Sequence, residues 1–181
     1  LAARSGWAIY PDRSIPRIKA GSFACLGETP EQKADALARN LIALFKREGK
    51  PDYCVIEQPQ RNVQQYKKAP SKLMPDVEGQ FTINAGTALQ LNQLVGAAVA
   101  ICAGFGVPWA VVPVQTWRSA FFPKGMKGKD RQDWKRMAKA HCELVKIPVS
   151  NADEAEAVGI AVYGPHVMKF RELELAKEKA A

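Results

Sequence analysis

Two short apolar runs with a helical stretch between them constrain this chain more than any other feature. Tyr53-Cys-Val-Ile-Glu57 reads as a brief buried strand that stops at Gln58-Pro59, and Pro108 to Val114 reads as a second strand. Between them, from about Thr87 to Phe105, Leu91, Leu94, Val95, Ala98, Ile101 and Cys102 recur on one helical face. Gly96, Ala97, Ala100 and Gly104 thin that helix for close packing, with sheet packing favoured over a subunit interface. Strand, helix, strand is a crossover unit, and it implies a mostly parallel α/β sheet.

The remaining segments extend this pattern. Gly6 to Tyr10 and Arg17 to Phe23 predict a hairpin around the turn at Pro11-Asp-Arg-Ser14. Thr29-Pro30-Glu31 opens a helix that carries Ala34, Leu37, Leu41, Leu44 and Phe45 towards Gly49. Further helices are expected over Lys129 to Val145 (basic) and Asn151 to Tyr163 (apolar), so the order is β-β-α-β-loop-α-β-α-α-α. A length of 181 residues fits one core and is short for two, so residues 1–181 are read as a single domain. Residues 58–85 form a long basic loop broken by Pro59, Pro70 and Pro75, and residues 166–181 a charged C-terminal helix or tail. A loop of that length inside one domain implies a function for it.

With 47% hydrophobic and 24% charged residues, the composition excludes a mainly disordered, collagen-like or disulfide-scaffold chain. Cys25, Cys54, Cys102 and Cys142 are widely spaced without a C-x-x-C pair, which suits buried reduced thiols rather than zinc ligands. The apolar run Val95 to Val107 is shorter than the roughly 20 residues a membrane span needs. No basic-then-apolar leader opens the chain. A cytosolic protein with no membrane partner is expected.

The net charge of +8 is unevenly spread. Residues 58–75 contribute +4 through Arg61, Lys67, Lys68 and Lys72. Residues 124–139 contribute +5, from Lys124, Lys127, Lys129, Arg131, Lys135, Arg136 and Lys139 against Asp130 and Asp133. The rest of the chain sums to −1. A solvated helix face and loop would account for one such block. Two blocks, with Gly125 and Gly128 and with Tyr66, Phe81, Trp117, Phe121, Phe122 and Trp134 nearby, favour phosphate contacts and a nucleic acid partner.

Isolated acids accompany this basicity. Glu57 ends an apolar strand, at the sheet edge where open α/β folds place ligands, although a chain leaving the sheet would also put a charge there. Asp153 and Glu156 lie three apart at the start of a helix and share a face, although acids are favoured in any first turn. Together the three suit the oxygen-only donor set of Mg²⁺ or Mn²⁺, with two ions per site acting on a phosphodiester. His141 and His166 have no ligand spacing with another histidine and are read as solvent-facing or structural.

Four segments in order, Arg4-Ser-Gly-Trp-Ala8, Val55-Ile-Glu-Gln-Pro59, Val112-Pro-Val-Gln-Thr-Trp-Arg118 and Asp153-Glu-Ala-Glu-Ala-Val-Gly-Ile-Ala161, resemble the RuvC-type Holliday junction resolvases of the RNase H-like superfamily. The resemblance spans nearly the whole chain. It implies an RNase H-like α/β fold with a five-stranded mixed sheet flanked by helices, a homodimer, and Mg²⁺-dependent endonuclease cleavage of branched DNA. It also implies catalytic and metal roles for Glu57, Asp153 and Glu156, with Glu156 in place of the usual Asp and Glu154 as a substitute ligand of less suitable direction. An assisting lysine is expected at Lys127 or Lys129, and DNA contacts at Arg61, Lys67, Lys68, Lys72, Lys124, Arg131 and Lys135. The family's first-strand Asp would fall just upstream of Leu1, so the chain as given carries three of four ligands and is expected to be impaired. A nuclease acting on hybrids or flaps, a non-catalytic branched-DNA-binding module, and an enzyme acting on a phosphorylated metabolite are the alternatives.

Overall fold

Backbone pairing begins where the alternating residues predict it. In the computed structural model, which describes residues 4–11, 17–59, 85–128 and 130–180, β1 (Arg4–Ile9) and β2 (Lys19–Ala24) form an antiparallel pair with Gly6 opposite Ser22. The first helix, α1 (Pro30–Glu48), starts on a reciprocal cap: the Gln32 N–H donates to Thr29 Oγ1, and the Thr29 N–H donates to Gln32 Oε1. β3 (Cys54–Glu57) and β4 (Trp109–Val112) are a parallel pair joined through α2 (Ala85–Gly104), the crossover the two apolar runs required.

The second strand ends earlier than its apolar pattern suggests. Pro113 caps a short helix, α3 (Val114–Phe121), which was not expected from sequence. A proline has no N–H with which to continue a ladder, and its fixed φ suits the residue before a helix. Trp117 and Phe121, one turn apart, then drive the helix face into the core. α4 (Arg131–Leu144) follows, its first turn capped by the Asp130 carboxylate, which accepts from the Asp133 N–H. α5 (Ala152–Tyr163), a 3-10 turn (Gly164–His166) and α6 (Met168–Ala180) complete the described chain.

α5 is the hub. It packs against β1, β2, β3, α3 and α4, and its Ala155 and Val158 are buried among Val112, Trp117, Phe121, Phe122, Ala138 and Cys142. Trp117 is fully buried, so it, Phe121 and Phe122 are core residues rather than stacking surfaces for bases.

Three expectations are corrected. The described residues form two separate two-stranded sheets, not one five-stranded sheet. One continuous sheet would need backbone bonds joining β1 or β2 to β3 or β4, and among the described residues neither pair bonds to the other. Second, Gly96 and Gly104 of α2 do not pack on a sheet. A side chain at Gly96 or Gly104 would meet open space, and the buried face of α2 (Leu94, Ala98, Cys102) belongs largely to its packing with α1. Third, the apolar segment is longer than the run 95–107: Gly86–Gly104 is long and apolar enough to cross a membrane by length and composition alone, as the core helix of a soluble protein also is. The four cysteines are free thiols, and burial pushes the Cys142 thiol up to about 11.

Candidate active site

The site forms where β3 ends beside α3 and the first turns of α5. Glu57, the last residue of β3, is half-buried, and one carboxylate oxygen accepts a hydrogen bond from Trp117 Nε1 at 3.2 Å. Burial pushes the Glu57 carboxyl above its ordinary range, and the nearby Glu156 charge pushes it further. The Trp117 hydrogen bond and the charges of Arg118 and Arg131 oppose the shift. Two carboxylates from different elements are thus close enough to repel.

Cations already attend two of the three acids of α5, Asp153 and Glu156. Arg118 Nη2 donates to Glu156 Oε1 at 3.3 Å, with both side chains largely buried. Its guanidinium lies over two indoles, 5.3 Å from the Trp117 ring centroid and 4.7 Å from that of Trp134. Lys135 Nζ, one residue beyond Trp134 on α4, donates to Asp153 Oδ1 at 2.6 Å.

Glu154 is turned elsewhere. Buried and three residues after the cap Asn151, it accepts from the Ser150 N–H at 2.7 Å, Asn151 Nδ2 at 2.8 Å and Ser22 Oγ at 3.0 Å. Asn151 Oδ1 accepts from the Glu154 N–H in return. The capping role open to first-turn acids belongs to Glu154, whose carboxylate is turned to Ser22, Ser150 and Asn151, while Asp153 and Glu156 face Lys135 and Arg118. Gly6 sets how closely β1 approaches this turn, because a Cβ there would lie 1.9 Å from the Asp153 carbonyl oxygen.

Glu57 and Glu156 are therefore brought together, while Asp153 is held by Lys135. Among the described residues no three Asp, Glu, His or Cys side chains gather as a metal cage. The donor chemistry of the Glu57–Glu156 pair nonetheless fits a hard divalent cation: both are carboxylates, and a bound cation would relieve their repulsion. Lys124, Lys127 and Arg131 are exposed on the segment leading into α4 and at its start. Lys129, Arg61, Lys67, Lys68 and Lys72 lie outside the described residues. Gly128 is accounted for by packing, since a Cβ there would come within 2.7 Å of the Trp134 ring, so it needs no phosphate to explain it. His141 stacks edge-on against Phe121 at 4.7 Å, which is a structural role.

Sequence reasoning placed Lys135 among DNA contacts and did not single out Trp117 or Arg118 for the site. The available signal was the Trp-Arg pair directly after the second strand; it went unused because the helix carrying it was not anticipated.

No protein-family model and no curated protein matches the sequence. Solved structures do. The Thermus thermophilus RuvC structure aligns with a TM-score of 0.54 at 14% identity, covering 88% of this chain and 86% of that one. T. thermophilus RuvC in complex with Holliday junction substrate aligns with a TM-score of 0.52 at 12% identity, covering 87% and 85%. The chain has a RuvC-like fold, of the RNase H-like α/β kind.

Proposed function

We propose that this chain is a structure-selective endodeoxyribonuclease acting on branched DNA, four-way junctions in particular. The observation that carries the reading is the convergence of Glu57 and Glu156 on the Trp117–Arg118 pair at the end of a parallel strand, beside the basic start of α4, in a RuvC-like fold. Glu57, Glu156 and, once released from Lys135, Asp153 would hold Mg²⁺ or Mn²⁺. Two such ions supply an activated water and charge stabilisation of the leaving oxygen. The chain's own contributions are distinct. Trp117 fixes the direction of the Glu57 carboxylate, Lys135 and Arg118 neutralise the acids of α5, and Lys124, Lys127 and Arg131 offer exposed charge to phosphates. Homodimerisation is part of this reading, and light scattering tests it.

The experiment is digestion of a synthetic four-way junction, a flap, an RNA–DNA hybrid and a linear duplex with Mg²⁺. The chain is compared with its Glu57→Gln and Asp153→Asn variants. Selective junction cleavage lost in both substitutions is expected; equal cleavage by the substituted proteins would remove the carboxylate assignment. The pairing of Glu156 with Arg118 and of Asp153 with Lys135 favours one second reading, a branched-DNA-binding module without hydrolysis. It predicts salt-sensitive junction binding indifferent to Mg²⁺.

A further inference from the structure

The unusual member of the site is Arg118. An arginine ion pair built for stability is normally bidentate, with its nitrogens satisfied. Arg118 contacts Glu156 through Nη2 at 3.3 Å, while its Nε is buried without a hydrogen-bond partner among the described residues. What holds the guanidinium is aromatic: Trp117 from its own helix and Trp134 from α4 both present ring faces to it. Those contacts do not require Glu156. The carboxylate can therefore leave the arginine while the arginine keeps its seat, and the charge left behind still faces the acids.

We propose that Arg118 is an internal counter-ion that holds Glu156 in the cation-free protein and yields it to a bound divalent cation, so that Arg118 pairing and cation binding exclude one another. The inference rests on the carboxylate reading above and adds a competitor to it. A cation binding the Glu57–Glu156 pair has to outbid a positive charge already seated there, so the intrinsic affinity of the carboxylates is lowered by the share of molecules in which Arg118 holds Glu156. Positive charge at the acids is thereby kept in every state, which prevents the repulsion between Glu57 and Glu156 from opening the site before a cation arrives.

The test is direct titration of the full chain with Mn²⁺ by calorimetry, together with tryptophan emission during titration with Ca²⁺. The variants are Arg118→Met, Arg118→Lys and Glu156→Gln. Arg118→Met is expected to bind Mn²⁺ about fivefold or more tightly than the parent, the size of effect a partly buried pair supports. Arg118→Lys, which keeps the charge but loses planar stacking on the indoles, should fall between them. Ca²⁺ should shift the emission of the parent, as the guanidinium stacked on Trp117 and Trp134 loses its counter-charge, and shift that of Arg118→Met less, since there only the Glu57 bond to Trp117 Nε1 responds. If Arg118→Met fails to fold, Arg118→Lys and the emission change carry the same comparison. Equal or weaker Mn²⁺ binding by both arginine variants, with binding lost in Glu156→Gln, would overturn the competitor role while leaving the carboxylate site standing. No Mn²⁺ binding by the parent or by any variant would overturn both.

Discussion

Replacing Gly6 with alanine should disturb the protein far more than a single added methyl group suggests. The new Cβ would sit 1.9 Å from the Asp153 carbonyl oxygen, 2.4 Å from its carbon and 3.0 Å from the Glu154 nitrogen. Carbon–oxygen contacts in proteins settle at about 3.3–3.6 Å, so strand and helix must separate by about 1.5 Å. All three obstructing atoms are backbone, and no side chain can rotate out of the way. Overpacking usually costs about 1–3 kcal/mol when side chains give; here the top of that range, about 3 kcal/mol, is expected. The strain also has a route onward. Gly6 pairs with Ser22, and Ser22 Oγ donates to Glu154, so backing β1 off α5 pulls on the hydrogen bonds that cap the helix. For a chain of this length about 3 kcal/mol corresponds to a fall in Tm of roughly 6–12 °C, read by calorimetry or circular dichroism. Gly96→Ala, where the added Cβ meets open space in the middle of α2, is the control. It should raise stability by about 0.5–1 kcal/mol. If Gly6→Ala melts within about 2 °C of the parent, the close approach of β1 to the Asp153 carbonyl is wrong.

Two further outcomes follow from the same turn and its neighbour. Glu154→Ala removes the acceptor of Ser22 Oγ, Asn151 Nδ2 and the Ser150 N–H, and should lose about 3 kcal/mol in a denaturant titration while Mn²⁺ affinity stays unchanged; lost affinity in a folded variant would make Glu154 a ligand after all. Glu57, raised by burial and by Glu156, holds its proton in the folded chain to higher pH than in the unfolded one, so the folded state binds more protons between the two values. The contribution of Glu57 to stability without divalent cation is therefore fully present below the ordinary carboxylate range and is lost as pH rises through the raised value. Glu57→Gln should accordingly out-melt the parent near neutrality in chelator and lose that advantage in acid; a pH-independent difference would contradict the shift.

How far the sequence carried these conclusions depended on the range of the interactions. Helix α1 was legible to within a residue because Thr29, Pro30 and Gln32 specify its start locally and Gly49 ends it. The parallel pairing of β3 and β4 was legible because two strands flanking a helix admit little else. The short helix α3 was not, since Val114 continues the apolar alternation of β4 and only the burial of Trp117 and Phe121 by α5 makes eight residues helical. The same division holds in the site. Glu57, Asp153 and Glu156 were visible as acids at element ends, but their partners come from elsewhere in the chain. Arg118 reaches Glu156 across 38 positions and Lys135 reaches Asp153 across 18, separations that no local pattern encodes. Gly6 shows the complementary case: a glycine in a quotable motif whose reason is the carbonyl of a residue on another element.

The division into two ribbons has a consequence for how the protein behaves at high concentration. Each of β1 and β3 bonds to one described neighbour only, so half of its amide and carbonyl groups are not held by a strand ladder among the described residues. A strand edge left uncovered is a template: an extended segment of any origin, including another copy of the chain, gains a row of ready-made hydrogen bonds by lying along it. Charge is the available restraint on that tendency. Arg4 opens β1, Lys19 opens β2, and a net +8 makes approaching copies repel at low ionic strength. Added salt, or a polyanion that neutralises the basic segments, removes that repulsion. Rising ionic strength should therefore favour self-association through any uncovered strand edge, read as falling solubility and growing particle size in light scattering.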